Sequence, residues 1–206
     1  MPQPLSKIMP NASVIIGNAG DRPLARHPEL AVLAIEAIAS WSNVENFLLN
    51  LFIQLFGGNT SLAANVFLSL EVQSAKTSAV LAAANSVLMD KPQEIKLLKA
   101  ILALAKTNEK SRNKLAHWIW GDSPNIPDAL LLANPKIISA YGIDQSQIFV
   151  YQKQDFISII QANDRLCGFG LSFNFILKSH PANRDGSLFR ELSAEPEIQE
   201  KLNHQA

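Results

Sequence analysis

The feature that most constrains this chain is a run of apolar residues at three- and four-residue intervals from Leu30 to Leu55. Leu30, Leu33, Ala34, Ala37, Ile38, Trp41, Val44, Leu48, Leu51, Phe52 and Leu55 fall on one helical face, and Glu45 lies among them. Pro28 suits a first helical turn and Gly57-Gly58 a stop, so one long helix is predicted over 28–56. Glu36, Asn43, Glu45, Asn46 and Asn50 interrupt the apolar run. That pattern fits a buried helix rather than a membrane span, and no membrane partner is expected.

The same spacing recurs along the chain. Thr60 or Ser61 can cap a second helix reaching about Leu70. An Ala-rich stretch over 73–89 predicts a third, ended by Asp90-Lys91-Pro92. From Gln93 a further helix carries Ile95, Leu98, Ile101, Leu102 and Ala105 on one side. Thr107-Asn108-Glu109 can interrupt it, because Thr and Asn compete for backbone hydrogen bonds. It is expected to resume to about Trp120 and to stop at Gly121-Asp122. Pro124, Pro127 and Pro135 exclude a long helix in the next segment, where 129–133, 136–141 and 147–152 read as short strands with a turn at Tyr141–Asp144. Phe156, Ile157, Ile160, Leu166 and Phe169 restore helical spacing over 153–178.

The expected fold class is therefore all-α: a bundle of about four main helices, with a small β-hairpin inserted before the last helix. Residues 1–26 read as an irregular lead-in, apart from a short strand near Ser13–Ile16. Residues 27–178 form the helical domain. Residues 179–206 form a polar tail with a short helix from Glu195.

Charge and cysteine content narrow the function classes. The 206 residues contain 18 basic and 18 acidic side chains, so any nucleic-acid contact must come from a local patch. The single cysteine, Cys167, excludes an intramolecular disulfide and reads as a packed thiol. The N-terminus has no basic start followed by an apolar segment, so a soluble cytoplasmic protein is expected. His27, His180 and His204 are scattered without metal-ligand spacing, and no metal or cofactor is expected. Gly168-Phe-Gly follows no strand and lacks the remaining glycine and lysine of a phosphate loop, so it reads as a site of close packing.

One segment stands out: Ser111-Arg-Asn-Lys-Leu-Ala-His-Trp-Ile-Trp-Gly121. His117 can exchange protons near neutral pH. Arg112 carries a permanent charge on a fork that fits phosphate oxygens. Asn113, four residues before His117, shares its helix face and can hold the imidazole. Lys106, Lys110 and Lys114 make the patch basic, and only Glu109 opposes them. Residues five apart on a helix are turned by roughly 140°, so Arg112 and His117 of one chain do not point the same way. The spacing suits a site shared across a two-fold dimer. The plainer alternative stays open, in which Arg112 is a surface cation near a helix end and His117 a capping or core histidine.

Arg-Asn, three residues and His, with a Gly soon after, resembles the signature of HEPN domains (higher eukaryotes and prokaryotes nucleotide-binding). The early segment Trp41-Ser-Asn-Val-Glu45, followed by Leu48, Leu49 and Leu51, resembles the first helix of bacterial HEPN-like proteins. Together the matched parts span about 28–121. The resemblance implies an all-α homodimer and a metal-independent endoribonuclease, in a toxin–antitoxin or phage-defence setting. RNA is then a partner, and a neutralising antitoxin protein a second one. His117 would be the acid–base group on the 2′-hydroxyl or the leaving 5′-oxygen, and Arg112 would stabilise the phosphorane-like charge. Asn113 would orient His117 or bind phosphate. Lys110 and Lys114 would hold the RNA backbone. Trp118 and Trp120 either stack bases or pack against the following loop. Glu45 is the candidate third polar residue, with Arg112 as the partner that would offset its burial. The alternative implied by the same family is a catalytically inactive HEPN-like nucleotide- or RNA-binding dimerisation module. Trp118-Ile119-Trp120 before Gly121, and the hairpin after it, depart from the simplest family pattern.

Overall fold

The computed structural model describes residues 2–136, 144–179 and 186–204. It is mostly helical, with a small antiparallel sheet. The elements in chain order are β1 (Gln3–Pro4), α1 (Leu5–Ile8), β2 (Ile15–Ile16), α2 (Pro23–Arg26), α3 (Pro28–Ala39), α4 (Trp41–Phe56), α5 (Thr60–Leu68), α6 (Gln73–Val87), α7 (Pro92–His117), β3 (Ile119–Asp122), β4 (Ala129–Ala133), β5 (Ile148–Gln152), α8 (Lys153–Lys178), α9 (Ser187–Ala194) and α10 (Pro196–Asn203). The chain folds as two compact units. One is Met1–Trp41 with Asn108–Ala162, and the other is Ser42–Thr107 with Asn163–Ala206.

In the first unit the strands form one sheet in the order β1-β5-β4-β3-β2, every neighbouring pair antiparallel. Its two-residue period sorts side chains to opposite faces. Ala129, Leu131, Ala133, Ile148 and Val150 pack with Leu5 and Ala12 of the N-terminal segment. Leu130, Leu132 and Tyr151 pack with Leu30, Ala34 and Ala37 of α3, Leu115 of α7 and Phe156 of α8. All five residues of β4 are buried. A strand covered on both faces reads as a continuous apolar run rather than an alternating one, and that is why Ala-Leu-Leu-Leu-Ala is a strand. Burial also pushes the Tyr151 hydroxyl above its ordinary pKa, with a smaller contribution from the charge of Asp155.

In the second unit Val44, Phe47, Leu48, Leu51, Phe52 and Leu55 form the buried face of α4. The Phe52 ring lies 5.4 Å from that of Phe67 on α5. A Cβ on Gly170 of α8 would meet the Phe47 ring at 2.4 Å, so the glycine is what lets these two helices approach. This is the close-packing role expected for the Gly168-Phe-Gly segment, and only the second of its glycines has it.

Several expectations need correction. The sheet of five strands replaces the expected single hairpin, and the helices are more numerous than about four. The helix over 28–56 is two, α3 and α4, divided at Ser40, whose hydroxyl donates to the Ala37 carbonyl at 3.0 Å. Asn59, not Thr60 or Ser61, caps α5, its side chain accepting from the Leu62 N–H at 3.0 Å. Thr107 does not interrupt α7: its hydroxyl donates back to the Ala103 carbonyl at 3.1 Å, so the competing group is satisfied within the helix. α7 ends at His117 rather than near Trp120, and Gly121 is a strand residue paired with Ile16. A Cβ there would lie 1.9 Å from the Ile16 side chain and 2.6 Å from the Ile15 carbonyl. The lead-in contributes both edge strands and the buried Leu5. The polar tail holds two helices, with Leu192 and Ile198 buried. The expected turn, most of the expected strand over 136–141, and His180 lie outside the described residues.

Candidate functional site

The last two turns of α7 carry the Arg-Asn-x-x-x-His segment in the first unit. Leu115 anchors them, with 1% of its surface exposed, in the core between the sheet and the helices. Around it the polar residues sit at graded depth: Arg112, Asn113 and Lys114 are half-buried, and Lys110 and His117 are exposed. The Arg112 guanidinium donates from Nη1 to Asn113 Oδ1 at 3.0 Å. Its Nε is buried with no hydrogen-bond partner among the described residues. No carboxylate there comes within ion-pair distance of Arg112. The cation is therefore steadied by a neutral amide, and its charge is not cancelled.

His117 is the last residue of the helix, followed by a Trp118 N–H that donates to the Lys114 carbonyl at 2.9 Å. The unpaired carbonyls of a helix C-terminus favour a cation, and Lys114 and His117 lie in that last turn. Lys110, Asn113, Lys114 and His117 lie within one stripe of the helix by the 3.6-residue repeat, while Arg112 lies off it. No hydrogen bond joins Arg112 to His117 within the chain, as their spacing requires.

The other expected contact residues are tied into the sheet. The Lys114 ammonium sits 5.0 Å from the Trp118 ring centre and 4.9 Å from that of Phe149. The Trp118 and Phe149 rings are themselves 5.7 Å apart. Trp120 lies opposite Leu132 in the strand register and stacks on Phe156 at 6.4 Å. Both tryptophans thus pack against neighbouring rings and keep part of their surface exposed. Glu45 belongs to the second unit. There its carboxylate lies 3.6 Å from the Lys76 ammonium, with 40% of its side chain exposed, so it is not the buried acid that the helix spacing suggested.

A second polar group in the first unit escaped sequence reasoning. Asp122 is 5% exposed and accepts two hydrogen bonds from Arg26, at 2.5 and 2.9 Å. Arg26 also pairs with Asp21 at 2.7 Å, and His27 Nε2 lies 3.5 Å from the Asp122 carboxylate. The hydrogen bonds from Arg26 hold the Asp122 pKa below the ordinary carboxylate range, against the opposing effect of burial. The same bonds raise that of Arg26. Beside this cluster lies an open cavity of about 370 Å³, lined by His27, Glu29, Leu30, Pro127, Asp128 and Lys153. The available signal was an Arg-His pair just before a helix-starting proline. Its acidic partner is 95 residues away from His27 in sequence and was read as a helix stop.

Among the described residues no group of three His, Cys, Asp or Glu side chains is placed to share a metal ion, and no helix is long and apolar enough to cross a membrane. Compared with family models, with curated proteins and with solved structures, the chain matches none.

Proposed function

We propose that this chain is an endoribonuclease that needs no metal and whose site is completed by a second copy of the chain. The observation that carries the reading is the state of Arg112. Its guanidinium is half-buried, held by Asn113 and free of any carboxylate, with one buried N–H still unused, five residues before an exposed histidine. Structural arginines at such depth are normally neutralised by an acid, whereas one that awaits a phosphate is not.

The chemistry follows from the groups. The RNA 2′-oxygen attacks the adjacent phosphorus as its proton passes to His117 of one chain. The bond to the 5′-oxygen breaks, and that oxygen takes up a proton from water. Arg112 of the other chain binds the phosphate oxygens as charge builds on them. The products are a 2′,3′-cyclic phosphate and a 5′-hydroxyl. Asn113, whose oxygen is engaged by Arg112, keeps its amide N–H groups for phosphate or imidazole. Lys110 extends toward the RNA backbone. Lys114 contributes charge from a fixed position between two rings. An activity of this kind belongs to a toxin or defence setting, in which a second protein restrains it.

The test is cleavage of single-stranded RNA in excess EDTA, with DNA of the same sequence as control. The wild type is expected to cut RNA only. His117→Ala is expected to lower the rate by about 10²–10⁴, and Arg112→Ala by about 10²–10³. Mixing the two inactive variants restores part of the activity if each site draws on both chains. Retained RNA binding with no cleavage by the wild type would instead identify a binding module.

A further inference from the structure

We infer that the exposed face of α8 is a two-fold interface between copies of this chain, with Leu171 at the axis. Leu171 and Phe175 are one helical turn apart and are 56% and 53% exposed. Gly168, on the same stripe, is open: a Cβ built there would meet nothing within 4 Å. Asp164 and Lys178 close the stripe at its two ends, both exposed. The five positions fall within roughly 80° of arc on an ideal helix.

The order of these residues identifies the occupant. Asp164 lies seven residues before Leu171, and Lys178 lies seven after it. Gly168 lies three before, and Phe175 four after. When two copies of α8 pair antiparallel about Leu171, each Asp164 meets the partner's Lys178, and each Phe175 meets the partner's Cys167, next to the open Gly168. Both contacts form twice, as an isologous contact requires. A face whose charges are opposite at equal distances from its centre complements itself. An unrelated protein would need no such symmetry. Neither charge is already spent, since among the described residues Asp164 and Lys178 belong to no ion pair. Arg165, just beside the stripe, is by contrast paired with Glu197 at 2.7 Å. The apolar pair at the centre supplies the area, and the charged ends fix direction and register.

The nuclease reading also calls for a second copy, so the α8 variants, none of them at a residue of the nuclease site, are what separate this interface from that reading. The test is sedimentation equilibrium of the full chain and three variants, with circular dichroism to confirm folding. The parent chain is expected to be dimeric at micromolar concentration. Phe175→Glu, at an exposed position, is expected to weaken association at least about tenfold. Asp164→Lys sets two like-charged pairs across the axis and is expected to weaken it about two- to fivefold. Adding Lys178→Asp to that variant reverses both pairs and is expected to restore the parent affinity. A monomeric parent, a Phe175→Glu dimer of unchanged affinity, or a double variant weaker than Asp164→Lys alone would each overturn the inference.

Discussion

Arg112 is where the proposed phosphate-binding role and a purely structural one have to be told apart. A surface cation near a helix end and a phosphate-binding cation look identical in sequence. They differ in what the guanidinium touches, and here it touches Asn113 at 3.0 Å and no acid. Asn113→Ala is accordingly expected to lower RNA cleavage about tenfold, a smaller loss than for Arg112→Ala, because it removes an orienting hydrogen bond and not the charge. A steady-state assay checks this, and a loss as large as that of His117→Ala would assign Asn113 a more direct role. At Asp122 the consequence concerns stability. Its folded pKa is depressed by Arg26. The stabilisation it provides is therefore complete above the unfolded carboxylate pKa of about 4. It is lost as pH falls through the lower folded value. Acid unfolding of the wild type followed by tryptophan fluorescence should show this loss below about pH 4, and Asp122→Asn should be less stable at neutral pH with a flatter acid dependence. Equal pH dependence in the two proteins would exclude the assignment. Cys167, expected to be packed, is half-buried, and that burial, with Asp164 nearby, pushes its pKa up to about 11.

At the level of elements, two glycines hold the packing together by their lack of a side chain. Gly121→Ala places a methyl group against Ile16 and the Ile15 carbonyl, and the carbonyl cannot rotate away. Gly170→Ala meets the Phe47 ring. Each is expected to cost about 1–3 kcal/mol, measurable by urea denaturation. Gly168→Ala, open within its own chain, is expected to be neutral or slightly stabilising at concentrations where the chain is monomeric. If Gly121→Ala and Gly168→Ala unfold alike, the close pairing of β2 with β3 is wrong. These elements also show what was legible in the sequence. α8 followed from its apolar spacing and β4 from its unbroken apolar run between prolines, since both patterns are local. Ser40, where the helix divides, and Thr107, where it continues, both donate to a carbonyl three or four residues back, so this bond does not by itself decide between stop and continuation. Sequence names the competing group but not which partner it takes. The two-residue edge strands β1 and β2 carry no periodic signal, because their partners are supplied by β5 and β3, more than a hundred residues on.

Across the whole molecule, local periodicity gave a predominantly helical chain, while the sheet needed strands from both ends of the first unit. The candidate site was legible as residue types at one helix end. Its surroundings were not, since Lys114 and the two tryptophans take their partners from β5, β4 and α8. The central proposal is chemistry toward RNA. The most direct measurement is mass analysis of the ends produced when a defined single-stranded RNA is incubated with the wild type, Arg112→Ala, His117→Ala and a mixture of the two variants in EDTA. The account predicts 2′,3′-cyclic phosphate and 5′-hydroxyl ends from the wild type, none above background from either variant alone, and partial recovery in the mixture. Intact RNA with the wild type, or cleavage that persists in both single variants, would contradict it.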